Sequence, residues 1–317
     1  RELADLMQIP VITTMMGISV FPDDDQLFCG MIGTHGVKMA NAAVNECDVL
    51  FLVGARVGDR AVKTPLALEK TTKIIHIDID PAEIGKNIGA DLPLVGDAKL
   101  VLQQMTELAK PMKHDEWIAH IKTLGGERKY VEPAKGTVNP RVFIDRLAKK
   151  MPANVTVVAD VGQNQIWTCT EYKFRKEGRL LTSGGMGTMG YSVPAAIGAK
   201  MADNSRATVA ICGDGAFQMS FMELATAVQF GVDIKVVVMT NNRLGMVREL
   251  QTNGYHDRQT AVFLDGSPDF IKLAEAYGIP AMRVYDDDTM DNGIEMLAEH
   301  KGICLVEVVV DKDMPTL

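Results

Sequence analysis

Long hydrophobic runs are missing from this sequence: no apolar stretch in the 317 residues reaches the roughly 18 to 20 that a helix needs to cross a bilayer. A surplus of positive charge is missing too. Lys and Arg number 33 against 41 Asp and Glu, a formal net charge of -8, so the basic footprint of a nucleic-acid binder is absent and an anionic ligand would need a local site. Cysteine is scarce. Cys29, Cys47, Cys169, Cys212 and Cys304 are odd in number and widely spaced with no CxxC pair, which argues against a disulfide scaffold or a thiolate metal cluster and suits a reducing, cytoplasmic compartment. No secretory or transit segment opens the chain, and no initiator methionine either. The opening Arg1-Glu2-Leu3-Ala4-Asp5-Leu6-Met7 already has a helix-like pattern, as expected of a piece of a longer polypeptide.

What is present is an ordinary globular composition, 47% hydrophobic and 23% charged, in a chain long enough for about two domain cores. Residues 9–14, 48–53 and 73–79 are short β-rich apolar runs separated by segments of helical periodicity, the alternation of a parallel α/β sheet. A polar stretch with Gly125-Gly126, Glu132-Pro133 and Lys135-Gly136 follows, so residues 111–139 read as a linker with a helix around Trp117, Ile118 and Ile121. Beyond it, strands are expected at 155–160, 179–182, 207–212, 234–240 and 303–310, with helices near 140–150, 191–202, 217–230, 268–277 and 289–300. Near-continuous apolar strands of this kind belong to sheets covered on both faces. The expected fold is therefore two parallel-sheet α/β domains, residues 1–110 and 140–317.

The strongest local signal runs from Ala207 to Met246. A buried strand ends at Cys212, the turn Gly213-Asp214-Gly215 follows, a helix comes next, and a second buried strand ends at Asn241-Asn242. A right-handed crossover makes the two strands parallel, so Asp214 and Asn241 fall at the same carboxyl edge, where open α/β sheets bind ligands. Asp214 supplies a hard carboxylate and Asn241 an amide oxygen. The glycines let backbone approach closely at a helix N-terminus, which favours phosphate. A magnesium-bridged diphosphate matches that donor set, although Gly-Asp-Gly alone is also an ordinary turn.

A rival pattern lies nearby, because Gly185-Met186-Gly187-Thr188-Met189-Gly190 satisfies GxGxxG between a strand and a helix. A dinucleotide site would then want an acidic residue ending the next strand. Asp203 lies at about the right distance but precedes that strand. In the first domain, Gly33-Thr34-His35-Gly36, Gly54 to Arg60, Asp78-Ile79-Asp80-Pro81 and Gly96-Asp97-Ala98 mostly follow predicted strands. By themselves they are turns with arginines able to reach a phosphate.

Gly213-Asp214-Gly215 with Asn241-Asn242 resembles the thiamine diphosphate signature. The longer strings Ser183 to Gly190, Pro194-Ala195-Ala196-Ile197-Gly198, Val161-Gly162-Gln163 and Gly245-Met246-Val247-Arg248 are similar to those of the acetolactate (acetohydroxyacid) synthase family, and the similarity covers nearly the whole chain in order. The resemblance implies a central FAD-binding-like domain followed by a C-terminal thiamine diphosphate domain. It implies Mg²⁺ on Asp214, Asn241 and the Arg243 backbone carbonyl, with Val161, Gln163, Gly215, Ala216, Gly245 and Met246 beside the cofactor. Gly187 and Met189 would hold its aminopyrimidine, and the Met189 side chain would wedge it into a bent form in which it acts as its own base. Thr14, Met15, His35, Gly54, Arg56, Arg60, Asp78, Asp97 and Ala98 would line a site for a structural FAD.

The implied activity is decarboxylation of pyruvate and joining of the two-carbon unit to a second 2-oxo acid. The family assembles as homodimers or tetramers with the active site between subunits, and a small regulatory subunit is an expected partner. Alternatives are another thiamine diphosphate carboligase or decarboxylase, such as glyoxylate carboligase, or an inactive cofactor-binding fragment. An N-terminal domain carrying the family's activating glutamate has no counterpart here, and the strand that opens the flavin domain is also missing, so this stretch alone is expected to be inactive. Three positions depart from the family pattern. Val57-Gly58 replaces a common Phe-Asp, Asn164 stands where a histidine is often found, and Leu250 stands where biosynthetic enzymes usually carry a tryptophan that favours 2-oxobutanoate.

Overall fold

The computed structural model describes residues 1–126 and 130–317. Its contacts divide the chain into two units, Arg1–Arg128 and Lys129–Leu317, and every strand pairing within the named sheets is parallel. The segment expected as a linker contributes to both units. Helix Asp115–Leu124 lays Trp117 and Ile121 against Cys29 and Ala43 of the first. In the second, Val138 bridges to Val310 and the Asn139 amide donates to the Val131 carbonyl at 2.8 Å.

In the first unit, β1 (Val11–Thr13) pairs with β2 (Phe28–Met31), and β3 (Val49–Val53), β4 (Lys73–Asp78) and β5 (Leu92–Val95) form a second sheet in that order. Ile12 of β1 packs against the apolar cluster that contains Leu52 and Ile74. Strands β2 and β5 were not expected from the sequence. Pro93 cannot donate to a ladder, which confines β5 to an edge.

The second unit carries β6 (Thr156–Ala159), β7 (Arg179–Thr182), β8 (Thr208–Gly213), β9 (Lys235–Thr240), β10 (Ala281–Val284) and β11 (Cys304–Val309), in the order β10-β11-β9-β8-β6-β7. Strands β6 and β9 are buried along their whole length, because helices cover both faces. Val158, Ala210, Val236, Val238 and Leu305 form the sheet's share of a core completed by Val193, Phe217, Leu224 and Phe270. Helix starts follow their caps: Asn139 Oδ1 accepts from Arg141 N at 2.9 Å ahead of helix Pro140–Lys150, and Asp286 with Thr289 makes a reciprocal capping box for helix Asp287–Glu299.

One expected helix is corrected. The run 217–230 is not continuous: helix Asp214–Gln218 is followed by a 3-10 turn, Phe221–Glu223, and then by helix Leu224–Gln229. The change of pitch lets Phe217 and Leu224 both reach the core. All five cysteines are free, and burial pushes the thiols of Cys29 and Cys304 up to about 11, which keeps them from acting as thiolates at neutral pH. No helix among the described residues is long and apolar enough to cross a membrane.

Candidate functional site

The chain leaves β6 toward β7 on one side and leaves β8 toward β9 on the other, so the carboxyl ends of β6 and β8 flank a topological switch point. A cleft enclosing about 600 Å³ of empty space, open solvent included, lies over these ends. Ten sequence-derived candidates line it: Val161, Gln163, Met189, Asp214, Gly215, Ala216, Asn241, Arg243, Gly245 and Met246.

Asp214 is the first residue of its helix and only 2% exposed. Its Oδ2 accepts from the backbone N of Asn242 at 2.6 Å and of Asn241 at 3.1 Å, and Oδ1 accepts from Gly215 N at 2.8 Å. The Asn241 and Asn242 donors thus tie the end of β9 to that of β8, and the Gly215 donor fixes the carboxylate on its own side. Asn242 adopts the left-handed conformation, φ 54°, which asparagine tolerates better than most residues. Burial pushes the Asp214 carboxyl up to about 6, against the pull of the N–H groups of Asn242, Gly215 and Asn241. A carboxyl so placed is costly to ionise until a cation arrives.

The donor set meets the demands of magnesium in one way only. No group of three His, Cys, Asp or Glu able to hold a metal occurs among the described residues. Mg²⁺ is commonly held by one or two carboxylates and completes its octahedron from other protein oxygens, phosphate oxygens and water. Asp214 fits that demand through Oδ1, which accepts one N–H and keeps a lone pair while Oδ2 already accepts two, and Asn241 offers Oδ1. Arg243 pairs with Phe263 in a bridge whose bonds are made by Leu244 N to Val262 O and Leu264 N to Asn242 O, which leaves the Arg243 carbonyl out of that ladder. The Arg243 side chain is occupied elsewhere, lying 4.7 Å over the Phe263 ring and donating to Asp265 at 2.8 Å.

Two glycines keep the floor open. A Cβ on Gly215 would stand 2.7 Å from Leu244 Cδ2 and 3.2 Å from Met189 Cε, and one on Gly245 would stand 1.9 Å from Gln163 Oε1. Gly162, at φ 142°, turns the chain from β6 into helix Gln163–Glu171. Gln163 is buried, and Asn164, also buried, donates to the Asp160 and Ile211 carbonyls at 2.8 and 3.2 Å. Asn164 therefore ties β6 to β8 beneath the cleft.

Two candidates fall outside the cleft lining. Gly187, at φ 68°, stands exposed on the loop between β7 and helix Ser192–Ala202, with its N–H donating to the Ser183 carbonyl at 2.6 Å. Leu250 lies on helix Gly245–Gly254, one turn beyond Met246, and is 64% exposed. One residue that the sequence pattern does not mark does much of the positioning. Asp160 is fully buried at the end of β6; Oδ1 accepts from Val161 and Gly190 N–H at 2.9 and 3.0 Å, and Oδ2 from Ser192 N–H at 2.8 Å. It holds the Met189 loop against the strand end.

In the first unit the candidates gather at carboxyl ends of strands. Thr14 and Met15 follow β1, His35 follows β2, Gly54, Arg56 and Arg60 follow β3, Asp78 ends β4, and Asp97 and Ala98 follow β5. The loops after β2 and β3 touch through Thr34 N–H donating to the Arg60 carbonyl at 2.9 Å, and a Cβ on Gly33 would stand 2.5 Å from that same oxygen. Val57, buried between the two arginines, holds φ 49°. For a β-branched residue that is a strained conformation of the kind stored at binding sites. Asp97 caps helix Ala98–Leu108 by accepting from Leu100 N–H at 3.1 Å.

Two family models match the chain. Residues 160–308 match the family model described as thiamine pyrophosphate enzyme, C-terminal TPP binding domain, and residues 1–105 match that of the thiamine pyrophosphate enzyme central domain. The chain is 40% identical over 321 residues to a probable acetolactate synthase large subunit of Methanocaldococcus jannaschii, covering 98% of this chain and 54% of that protein. It is 36% identical over 314 residues to the acetolactate synthase large subunit of Lactococcus lactis subsp. lactis, with coverage of 98% and 54%. To an acetolactate synthase of Mycobacterium bovis it is 38% identical over 329 residues, with coverage of 98% and 52%. The chain spans about half the length of the curated relatives it matches.

Proposed function

The chain belongs to the thiamine pyrophosphate enzymes, carrying their central and C-terminal domains, and from that premise we propose that it is the cofactor-holding part of an acetolactate synthase large subunit. The observation that carries the reading is the pairing of Asp214 and Asn241 at adjacent strand ends over the switch-point cleft, in a chain 36–40% identical to proteins of that name. Asp214, Asn241 and the Arg243 carbonyl are the proposed magnesium ligands. Gln163, Gly215 and Ala216 flank the diphosphate, with Val161, Gly245 and Met246 at its sides. Met189, held by the Asp160-anchored loop, supports the bent cofactor together with Gly187.

Bound thiamine diphosphate would supply an electron sink for decarboxylating a 2-oxo acid and passing its two-carbon unit to a second one. This chain's residues bind and orient it. Asp214 would offset part of the cation's charge, Met189 and Leu244 close apolar walls against Gly215, and the backbone N–H groups after Gly213 would be available to the diphosphate. In the first unit the same reading gives FAD to the strand ends, with Arg56 and Arg60 for its phosphates and Asp78 and Asp97 for its polar groups. The relatives are named large subunits, which supports a small-subunit partner, and pyruvate with a second 2-oxo acid are the proposed substrates.

Acetolactate formation from pyruvate, with thiamine diphosphate, Mg²⁺ and FAD supplied, tests the proposal on this chain and on a longer polypeptide that contains it. Activity in the longer form that EDTA abolishes supports it. A longer form that binds thiamine diphosphate but makes no acetolactate moves the assignment to another carboligase or decarboxylase.

A further inference from the structure

Gln163 makes contacts on two sides, and its two amide atoms are not interchangeable. Its Nε2 stands 2.9 Å from the Met314 carbonyl and 3.2 Å from both Glu249 Oε2 and Thr316 Oγ1. A carbonyl and a carboxylate only accept, so the nitrogen must face them. The opposite atom, Oε1, therefore faces Asn241 and takes a hydrogen bond from Asn241 Nδ2 at 3.3 Å. That contact, together with the Arg243 N–H on the other side of the amide, fixes the second amide in turn. Asn241 directs its nitrogen to Gln163 and offers Oδ1 on its other side, where Arg243 N–H donates at 3.0 Å.

The outer end of the chain of contacts is pinned as well. Thr316 donates to Glu249 Oε2 through its backbone N–H at 3.0 Å and through its hydroxyl, and Trp167 Nε1 holds the Pro315 carbonyl at 3.1 Å. Thr316 is 4% exposed and Gln163 likewise 4%, so water does not compete freely for these groups. Gly245 packs directly on the Gln163–Asn241 contact, where a Cβ would stand 3.1 Å from Asn241 Nδ2.

We propose that Glu249 and Thr316 are positioning residues that, acting through Gln163, make Asn241 present its oxygen rather than its nitrogen to a divalent cation. Hard cations such as Mg²⁺ bind oxygen, so an amide turned the wrong way removes a ligand without removing a residue. The proposal rests on the reading of Asp214 and Asn241 as magnesium ligands. It adds that the ligand's orientation is set from helix Gly245–Gly254 and residues 314–316, neither of which needs to touch the cation.

The test titrates Mg²⁺ calorimetrically into the chain in the presence of thiamine diphosphate, for wild type, Glu249→Leu, Glu249→Gln and Thr316→Val. Glu249→Leu should weaken Mg²⁺ about tenfold or more, the usual range for a lost outer partner of a metal ligand. Glu249→Gln keeps an oxygen acceptor for Gln163 and Thr316 and should stay within about twofold. Thr316→Val, nearly isosteric, should fall between them and serves if Glu249→Leu does not fold. In parallel, side-chain amide NMR on the metal-free chain should show contact between the Gln163 Nε2 hydrogens and the Thr316 methyl in wild type and Glu249→Gln, and a weakened contact in Glu249→Leu, where only the Met314 carbonyl and the Thr316 hydroxyl still accept from Nε2.

Unchanged Mg²⁺ affinity in folded Glu249→Leu overturns the proposal, and so does an equal loss in Glu249→Gln, which would make charge rather than acceptor geometry the cause. Absence of Mg²⁺ uptake by wild type overturns the ligand assignment itself. The metal-free spectra distinguish that failure, because the Gln163 orientation would persist in them.

Discussion

Asp214 should make the metal-free protein less stable at neutral pH than at mildly acidic pH. Its folded carboxyl titrates near 6 against an ordinary 3.8, so the folded state binds the proton more tightly than the unfolded one. Linkage then runs opposite to the usual carboxylate. The metal-free fold carries the full cost above about pH 6 and is relieved as pH falls toward 3.8. A rise of about two pH units, at about 1.4 kcal/mol for each, makes that cost about 3 kcal/mol. Asp214→Asn removes the buried charge but leaves one backbone donor, by position Gly215 N–H, facing an amide nitrogen, at about 1–3 kcal/mol. The variant should therefore lie within about 2 kcal/mol of wild type at pH 7 without metal, and its stability should lose the upward trend between pH 7 and 5. Mg²⁺ binding to wild type should weaken about tenfold per pH unit below pH 6, since proton and cation compete for one carboxylate. Urea unfolding at pH 5 and 7, with and without Mg²⁺ and thiamine diphosphate, reads all three effects. An Asp214→Asn chain that keeps the wild-type pH trend refutes the reasoning.

Three further substitutions follow from the cleft. Gly245→Ala sets a methyl 1.9 Å from Gln163 Oε1; because that amide is buried and pinned, the overpacking should cost about 1–3 kcal/mol in urea unfolding and lower thiamine diphosphate affinity in a fluorescence titration. Gly162→Ala forces a Cβ onto φ 142°, 2.7 Å from Asn164 Oδ1, and should cost at least about 1–3 kcal/mol by the same measurement. Leu250→Trp alters a side chain that is 64% exposed, so stability should stay within about 0.5 kcal/mol. In a longer, active form, a wall contributed by that tryptophan should shift acceptor preference toward 2-oxobutanoate by about 1–3 kcal/mol, and an unchanged product ratio from mixed 2-oxo acids would count against Leu250 as part of the substrate pocket.

The long apolar strands were legible because burial on both faces writes itself as a continuous run, as in Lys235–Thr240, where every residue is buried. The short strands were not. Phe28–Met31 contains Gly30 at φ 96° and Leu92–Val95 contains Pro93, so neither has the β-rich signature, and their pairing is decided by neighbours far off in sequence. Helix Gln163–Glu171 was invisible for the opposite reason. All nine of its residues are buried, so no polar face alternates with an apolar one and the 3.6-residue period has nothing to mark it.

The cleft divides along the same line. Asp214 and Asn241 could be paired from sequence because strand ends and crossover handedness are local properties that compose. What holds them in place comes from much further away: Asp160 reaches across thirty-odd residues of sequence to Gly190 and Ser192, and Gln163 spans some eighty to Asn241 and about one hundred and fifty to Met314. A buried acid at a strand end and a glutamine beside a glycine carry no periodicity of their own, and each looks like an ordinary polar residue until the fold supplies its partners. On the proposal above, the orientation of the Gln163 amide, one of the contacts that turn the Asn241 oxygen, is set by Glu249 and residues 314–316, the latter a segment in which the sequence alone shows no chemistry at all.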